Sequence, residues 1–94
     1  MAKPPLDLSA GQIELWMTAC LSELLGRSAG EINRHSTFDE LGLDSLSALT
    51  LLGVVETYLG DEVDPTLPYD FPTVAKMSAK LAALADRKAL AGGL

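Results

Sequence analysis

Aromatic residues make up only 5 % of this 94-residue chain, and cysteine occurs once, as Cys20. A single cysteine closes no internal disulfide, so the fold needs no oxidising compartment. The 48 % hydrophobic content is dominated by Leu and Ala, which suits packed helices better than a β-sandwich rich in Val, Ile and Tyr. Basic residues are also few, 7 Lys and Arg against 13 Asp and Glu. That balance excludes a nucleic-acid footprint, which needs clustered Lys and Arg on phosphate. The net charge of −6 is unevenly spread: residues 1–70 carry twelve acids and three bases, and residues 71–94 carry one acid and four bases. An acidic body fits partners with basic surfaces, and fits equally a solvated surface that serves solubility. The longest apolar stretch, around Ala48–Val55, is interrupted by Thr50 and Gly53 and is too short to span a bilayer. Met1-Ala2-Lys3-Pro4-Pro5 has no apolar signal-peptide core. The expectation is a cytoplasmic protein that binds neither nucleic acid nor membrane.

What is present organises as one small domain. Residues 1–8 read as a flexible leader, 9–89 as the folded domain and 90–94 as a frayed tail. Ser9 is an N-cap candidate, with Gln12 placed for a capping box. It opens a helix to about Leu25, whose inner stripe is Ile13, Met17, Cys20 and Leu24 with Trp16 and Leu21 at its flanks. Gly26 stops it. A long connection follows from Gly26 to Asp44, with Ile32, Phe38, Leu41 and Leu43 as anchors against the core. A second strong helix runs from about Ser45 to Leu59 and ends at Gly60. Asp61-Glu62-Val63-Asp64 is an acidic turn, and Pro65–Asp70 a short helical turn with Pro65 at an early position. Pro72 and Thr73 open the last helix, with Val74, Met77, Leu81, Leu84 and Ala85 inward, fading by Ala89. The fold class is all-α: a four-helix bundle of three main helices and one short one, with a long loop between the first and second.

Chemistry concentrates at one point. Asp44 is a strong N-cap type, able to accept a hydrogen bond from the first-turn amides. Ser45 then occupies the first helical position, hydroxyl outward, where the positive end of the helix favours a phosphate. A hydrolase is excluded by spacing, because the nucleophile elbow needs glycine two residues before and two after the serine. Here those positions are Leu43 and Ser47. His35, the single histidine, reads as a surface residue of a polar loop, and Cys20 as a small core residue. Trp16, Met17 and Met77 read as packing. Asp61, Glu62 and Asp64 lack the alternating ligands and distant Glu of a calcium loop. No catalytic residue and no metal site is expected.

The run Phe38-Asp39-Glu40-Leu41-Gly42-Leu43-Asp44-Ser45-Leu46 closely resembles the prosthetic-group attachment site of acyl carrier proteins, with its Leu-Gly-x-Asp-Ser-Leu core. The resemblance covers roughly residues 10–86. It implies a non-catalytic carrier, 4'-phosphopantetheine esterified to Ser45, and an acyl group carried on the terminal thiol. It also implies a role for Asp44 in positioning magnesium during modification, while the carrier alone holds no metal. Peptidyl carriers usually have a second glycine where this chain has Leu43, and commonly lack the Asp before serine. Tyr69-Asp70-Phe71-Pro72-Thr73 resembles the aromatic-Pro-Thr signature of polyketide-synthase and peptidyl carriers, which dissociated fatty-acid carriers typically lack. Together these segments resemble a polyketide-type acyl carrier. The implied partners are a phosphopantetheinyl transferase and loading and condensing enzymes such as acyltransferase and ketosynthase, with the carrier a monomer, either free-standing or an excised domain. A peptidyl or aminoacyl carrier, or an unmodified helical interaction module, is the alternative.

The helix after Ser45 also predicts a docking face. At 100° per residue, Ala48, Leu51, Leu52, Val55 and Leu59 share one side. Opposite lie Leu46, Thr50, Gly53 and Thr57, with Leu49 and Val54 at the borders, and Glu56 is the only charge between Ser45 and Leu59. Leu43, Leu46, Leu49, Thr50 and Gly53 are the expected partner-binding residues, with Asp39, Glu40, Asp61 and Glu62 as weaker steering charges at the rim.

Overall fold

Helix α1 (Ala10–Leu25) starts directly after Ser9, whose backbone is extended and whose hydroxyl accepts a hydrogen bond from the Gln12 amide. It stops at Gly26, whose φ of 66° is left-handed and costs glycine little. The structure is a computed structural model that describes residues 9–60 and 62–92, with side chains described through Asp86. The expected leader, residues 1–8, and Asp61 lie outside the described residues. Ile13, Met17, Cys20 and Leu21 are fully buried, and Trp16 meets Tyr58 with ring centroids 4.5 Å apart. Leu24 is half-buried against the same core.

Helix α1 lies along the last helix, α5 (Val74–Gly92), where Val74, Met77 and Leu81 are fully buried and Leu84 half-buried. The helix extends past Ala89 to Gly92, because Ala, Leu and Lys all favour helical backbone. The third long helix, α3 (Ser45–Leu59), contributes Leu51, Leu52 and Val55 to the core, with Ala48 and Leu59 half-buried. It ends at Gly60, φ 72°. The expected core faces of all three main helices are the observed ones. The described residues form no strand, only an isolated bridge between Thr37 and Thr73.

The connection between α1 and α3 holds more structure than a loop. A 3-10 turn (Ala29–Glu31) is followed by α2 (Phe38–Leu41). Thr37 and Glu40 form a capping box around α2, the Thr37 hydroxyl accepting from the Glu40 amide and the Glu40 carboxylate from the Thr37 amide. Ile32, Phe38, Leu41 and Leu43 are all buried, so the four expected anchors do hold the segment. Two backbone bonds tie it to the far end of the chain: the Phe38 amide donates to the Pro72 carbonyl at 2.8 Å, and the Ala75 amide to the Arg34 carbonyl at 3.1 Å. Arg34 also makes a two-pronged ion pair with Glu14 of α1.

The short helix differs in register from its expectation. Asp64 accepts hydrogen bonds from both the amide and the hydroxyl of Thr66, which makes residues 64–66 a side-chain-closed turn. Helix α4 therefore spans Leu67–Asp70, and the proline in its first turn is Pro68, not Pro65.

Candidate functional site

Ser45 stands at the first residue of α3, and three local devices put it there. Gly42 turns the chain out of α2 at φ 91°, a conformation that favours glycine. Leu43 then inserts into the core, its amide donating to the Phe38 carbonyl at 2.9 Å. Asp44 caps α3, its Oδ1 accepting from the Ser47 amide at 2.7 Å. That bond, with a weaker contribution from the Leu46 amide, holds the Asp44 carboxyl below its ordinary pKa despite partial desolvation. The side chain of Ser45 is left exposed, and no described residue bonds its hydroxyl.

Two open grooves meet at Ser45. The larger, about 540 Å³, is lined by Phe38, Leu43, Ala48, Pro68 and Pro72, with the polar Thr37, Asp39 and Asp44. The smaller, about 240 Å³, runs between α3 and α4 over Ala48, Leu49, Leu52, Pro65 and Pro68. Ser45 and Tyr69 line both. Tyr69 is 72 % exposed although its neighbours Leu67 and Pro68 are buried. It was not among the expected site residues, because nothing in its local sequence shows that α4 packs beside the start of α3.

The expected docking residues divide by exposure. Leu46 (75 %) and Leu49 (58 %) stand out from α3, and with Tyr69 they are three of the four exposed large hydrophobic residues described, Leu15 being the other. Thr50, Gly53 and Thr57 are exposed on the same helix. The Thr50 hydroxyl donates to the Leu46 carbonyl and the Thr57 hydroxyl to the Gly53 carbonyl, which engages both hydroxyls with the helix itself. Leu43, expected both as an anchor and as a docking residue, is 8 % exposed; it serves the core, and little of it is left for a partner. Asp39, Glu40 and Glu62 are exposed, while Asp61 lies outside the described residues. Glu56, the lone charge of α3, is half-buried and accepts from the Val63 amide at 3.1 Å.

The other chemical candidates stay apart from Ser45. His35 is exposed beside Arg34 and lines neither groove, and Cys20 is buried in α1. Among the described residues no three His, Cys, Asp or Glu side chains gather to hold a metal ion. No described helix is long and apolar enough to cross a membrane.

An exposed serine on the first turn of a capped helix, beside two open grooves on a helical bundle, leaves room for a tethered group, and the class of protein this points to is a helical carrier. The family model described as "Phosphopantetheine attachment site" matches residues 16–81. The chain belongs to that family, whose members carry 4'-phosphopantetheine and are in general non-catalytic. It is 36 % identical over 69 residues to polyketide synthase PksM of Bacillus subtilis, covering 73 % of this chain and 2 % of the synthase. It is 41 % identical over 64 residues to erythronolide synthase EryA2 of Saccharopolyspora erythraea, covering 67 % of this chain and 2 % of that protein. The chain thus spans a very small part of these relatives. Among solved structures, the acyl carrier protein Asl1650 of Anabaena superposes with a TM-score of 0.81 at 30 % identity, over 90 % of this chain and 97 % of that one.

The residues present fit the group. The Ser45 hydroxyl is accessible, a phosphodiester there would meet the positive end of α3, and the nearest carboxylate, Asp44, is turned onto the Ser47 amide.

Proposed function

We propose that this chain is an acyl carrier of polyketide-type assembly, holding acyl intermediates as thioesters on 4'-phosphopantetheine esterified to Ser45 and passing them among synthase enzymes in the cytoplasm. The observation that carries this reading is the exposed Ser45 at the first position of α3, directly behind its Asp44 cap. When bound, the group supplies a terminal thiol for thioester formation. The chain's own part is to present and position. Ser45 offers its hydroxyl as the esterification point, the α3 dipole stabilises the phosphodiester formed there, and Asp44 fixes the first turn while keeping a carboxylate for the transferase complex, where it helps position magnesium.

The partners in this reading are a phosphopantetheinyl transferase, an acyltransferase and a ketosynthase, each meeting the carrier as a monomer. They grip the uncharged face of α3 through Leu46, Leu49, Thr50 and Gly53. Exposed apolar side chains beside an attachment point, with acids only at the rim, support an interface held mainly by apolar contact and steered weakly by charge.

The test is the intact mass after incubation with coenzyme A and a broad-specificity phosphopantetheinyl transferase. One added arm on the parent and none on a folded Ser45→Ala variant is the expected result. An unmodified parent would make the chain a helical interaction module, and a modified Ser45→Ala would place attachment elsewhere.

A further inference from the structure

Resting on attachment at Ser45, we propose that Glu56 is a positioning residue for the modification of that serine. It holds the segment ahead of α4 so that Tyr69 extends the surface an enzyme meets there.

Glu56 is the only charged residue between Ser45 and Leu59, and it is half-buried where a solvating charge would be exposed. Its carboxylate is engaged within the chain, Oε2 accepting from the Val63 amide at 3.1 Å. Its carbonyl accepts from the Gly60 amide at 2.8 Å, so residue 56 closes the end of α3 with backbone and side chain together. Val63 is itself half-buried against the core, and a shielded amide left without an acceptor there is costly.

Ser45, Leu49, Leu52 and Glu56 follow at spacings of four, three and four, which aligns them along one side of α3. The chain that crosses this side runs the opposite way. Val63 meets Glu56, while Pro65, Pro68 and Tyr69 line a groove with Leu52, Leu49 and Ser45. Glu56 therefore fixes the far end of a segment whose near end walls the site, from about 16 Å along the helix axis.

Leu49 and Tyr69 are both exposed and line that groove beside Ser45, so the wall adds apolar surface to the outer stripe of α3. Helix α4 is a single turn, too short to hold its own orientation. Its anchors are the buried Leu67 and Pro68, the turn that Asp64 closes on Thr66, and the Glu56–Val63 bond at its approach. Freed at Glu56, α4 carries Tyr69 away from Leu49 and the shared surface is split.

Modification kinetics with coenzyme A and a broad-specificity phosphopantetheinyl transferase test this, alongside hydrogen exchange of the Val63 amide. Glu56→Ala, folded at the assay temperature by circular dichroism, should raise KM for the carrier about fivefold at unchanged kcat, the scale of one interface side chain lost. Its Val63 amide should exchange faster than in the parent. Glu56→Gln keeps an oxygen acceptor and should restore both. In a Tyr69→Ala background Glu56→Ala should raise KM no further, because both act through one surface. If Glu56→Ala does not fold, Glu56→Met takes its place, keeping the stem and offering no oxygen. An unchanged KM in the folded variant would overturn this inference and leave attachment at Ser45 intact. So would losses that add in the double variant. A Glu56→Gln that raises KM as much as Glu56→Ala, with Val63 still protected, would overturn it too, since the charge would then meet the enzyme directly. A parent that gains no arm overturns the attachment reading, and this inference with it.

Discussion

Gly53 lies in the middle of α3, exposed, and a Cβ built on it meets nothing within 4 Å. Its φ is not positive, so no backbone requirement calls for glycine there. A glycine in a helix interior is about 1 kcal/mol less favourable than alanine, mostly through the entropy lost by the more flexible chain. Gly53→Ala should therefore stabilise the fold by roughly that amount, because the added methyl displaces no neighbour. For a domain of this size 1 kcal/mol corresponds to a rise in melting temperature of about 4–8 °C. Thermal and urea unfolding followed by far-ultraviolet circular dichroism measure both quantities, and modification of Ser45 reports that the site stays intact. The same methyl stands on the proposed docking stripe, so affinity for a condensing or loading enzyme should fall while stability rises. A variant that melts at or below the parent temperature would refute the stability argument. One that is more stable and binds a partner as tightly as the parent would leave Gly53 without a docking role.

Replacing the cap separates structure from recognition: Asp44→Ala should lower the melting temperature and slow modification of Ser45, while Asp44→Asn, which still accepts the Ser47 amide, should keep stability and remain a poor transferase substrate. Equal modification rates for both variants and the parent would reduce Asp44 to a cap. Leu49→Asp should weaken binding of a cognate partner about tenfold or more at unchanged folding, as for a residue central to an interface, while rising salt weakens the parent only modestly; a steep salt dependence with Leu49→Asp tolerated would make the interface electrostatic. Acid should destabilise the protein, because Glu14 is held below its ordinary pKa by its hydrogen bond to Arg34, Glu40 by the Thr37 amide, Asp44 by the Ser47 amide and Asp64 by the Thr66 amide. Each group binds its proton more readily in the unfolded chain, so its contribution is complete above the ordinary carboxylate range of about 4 and is lost as pH falls through the lower folded values. Urea midpoints flat between neutrality and about pH 5 and falling below it are the expected profile, and midpoints that hold steady into strong acid would contradict it.

The capped serine at the start of α3 was legible because its determinants are local. Asp44 caps through an amide three residues away, and the buried side of α3 repeats every three or four residues, so a short window contains the whole signal. The same holds for α1 and α5. Helix α2 is equally local, written in Thr37-x-x-Glu40 as a capping box, but it lies within the connection between α1 and α3 and its four residues are too few to carry a repeating stripe. The start of α4 depended on whether Asp64 would close a turn on Thr66, a competition between side-chain and helical hydrogen bonds that a proline pattern does not resolve.

The surroundings of Ser45 are a different matter. By itself the sequence determined three helices, their inward faces, a capped serine and an uncharged outer stripe on α3, since capping, periodicity and charge are properties of a few consecutive residues. Only the tertiary structure decided that Tyr69 and Pro68 stand across a groove from that serine, and that Leu43 is buried while Leu46 and Leu49 are not. Those outcomes follow from bonds between distant segments, Phe38 to Pro72 and Arg34 to Ala75, together with the packing of α1 along α5. Such contacts join residues far apart in the chain, and which pairs form is settled by the shared burial of the whole core and by no short stretch of it.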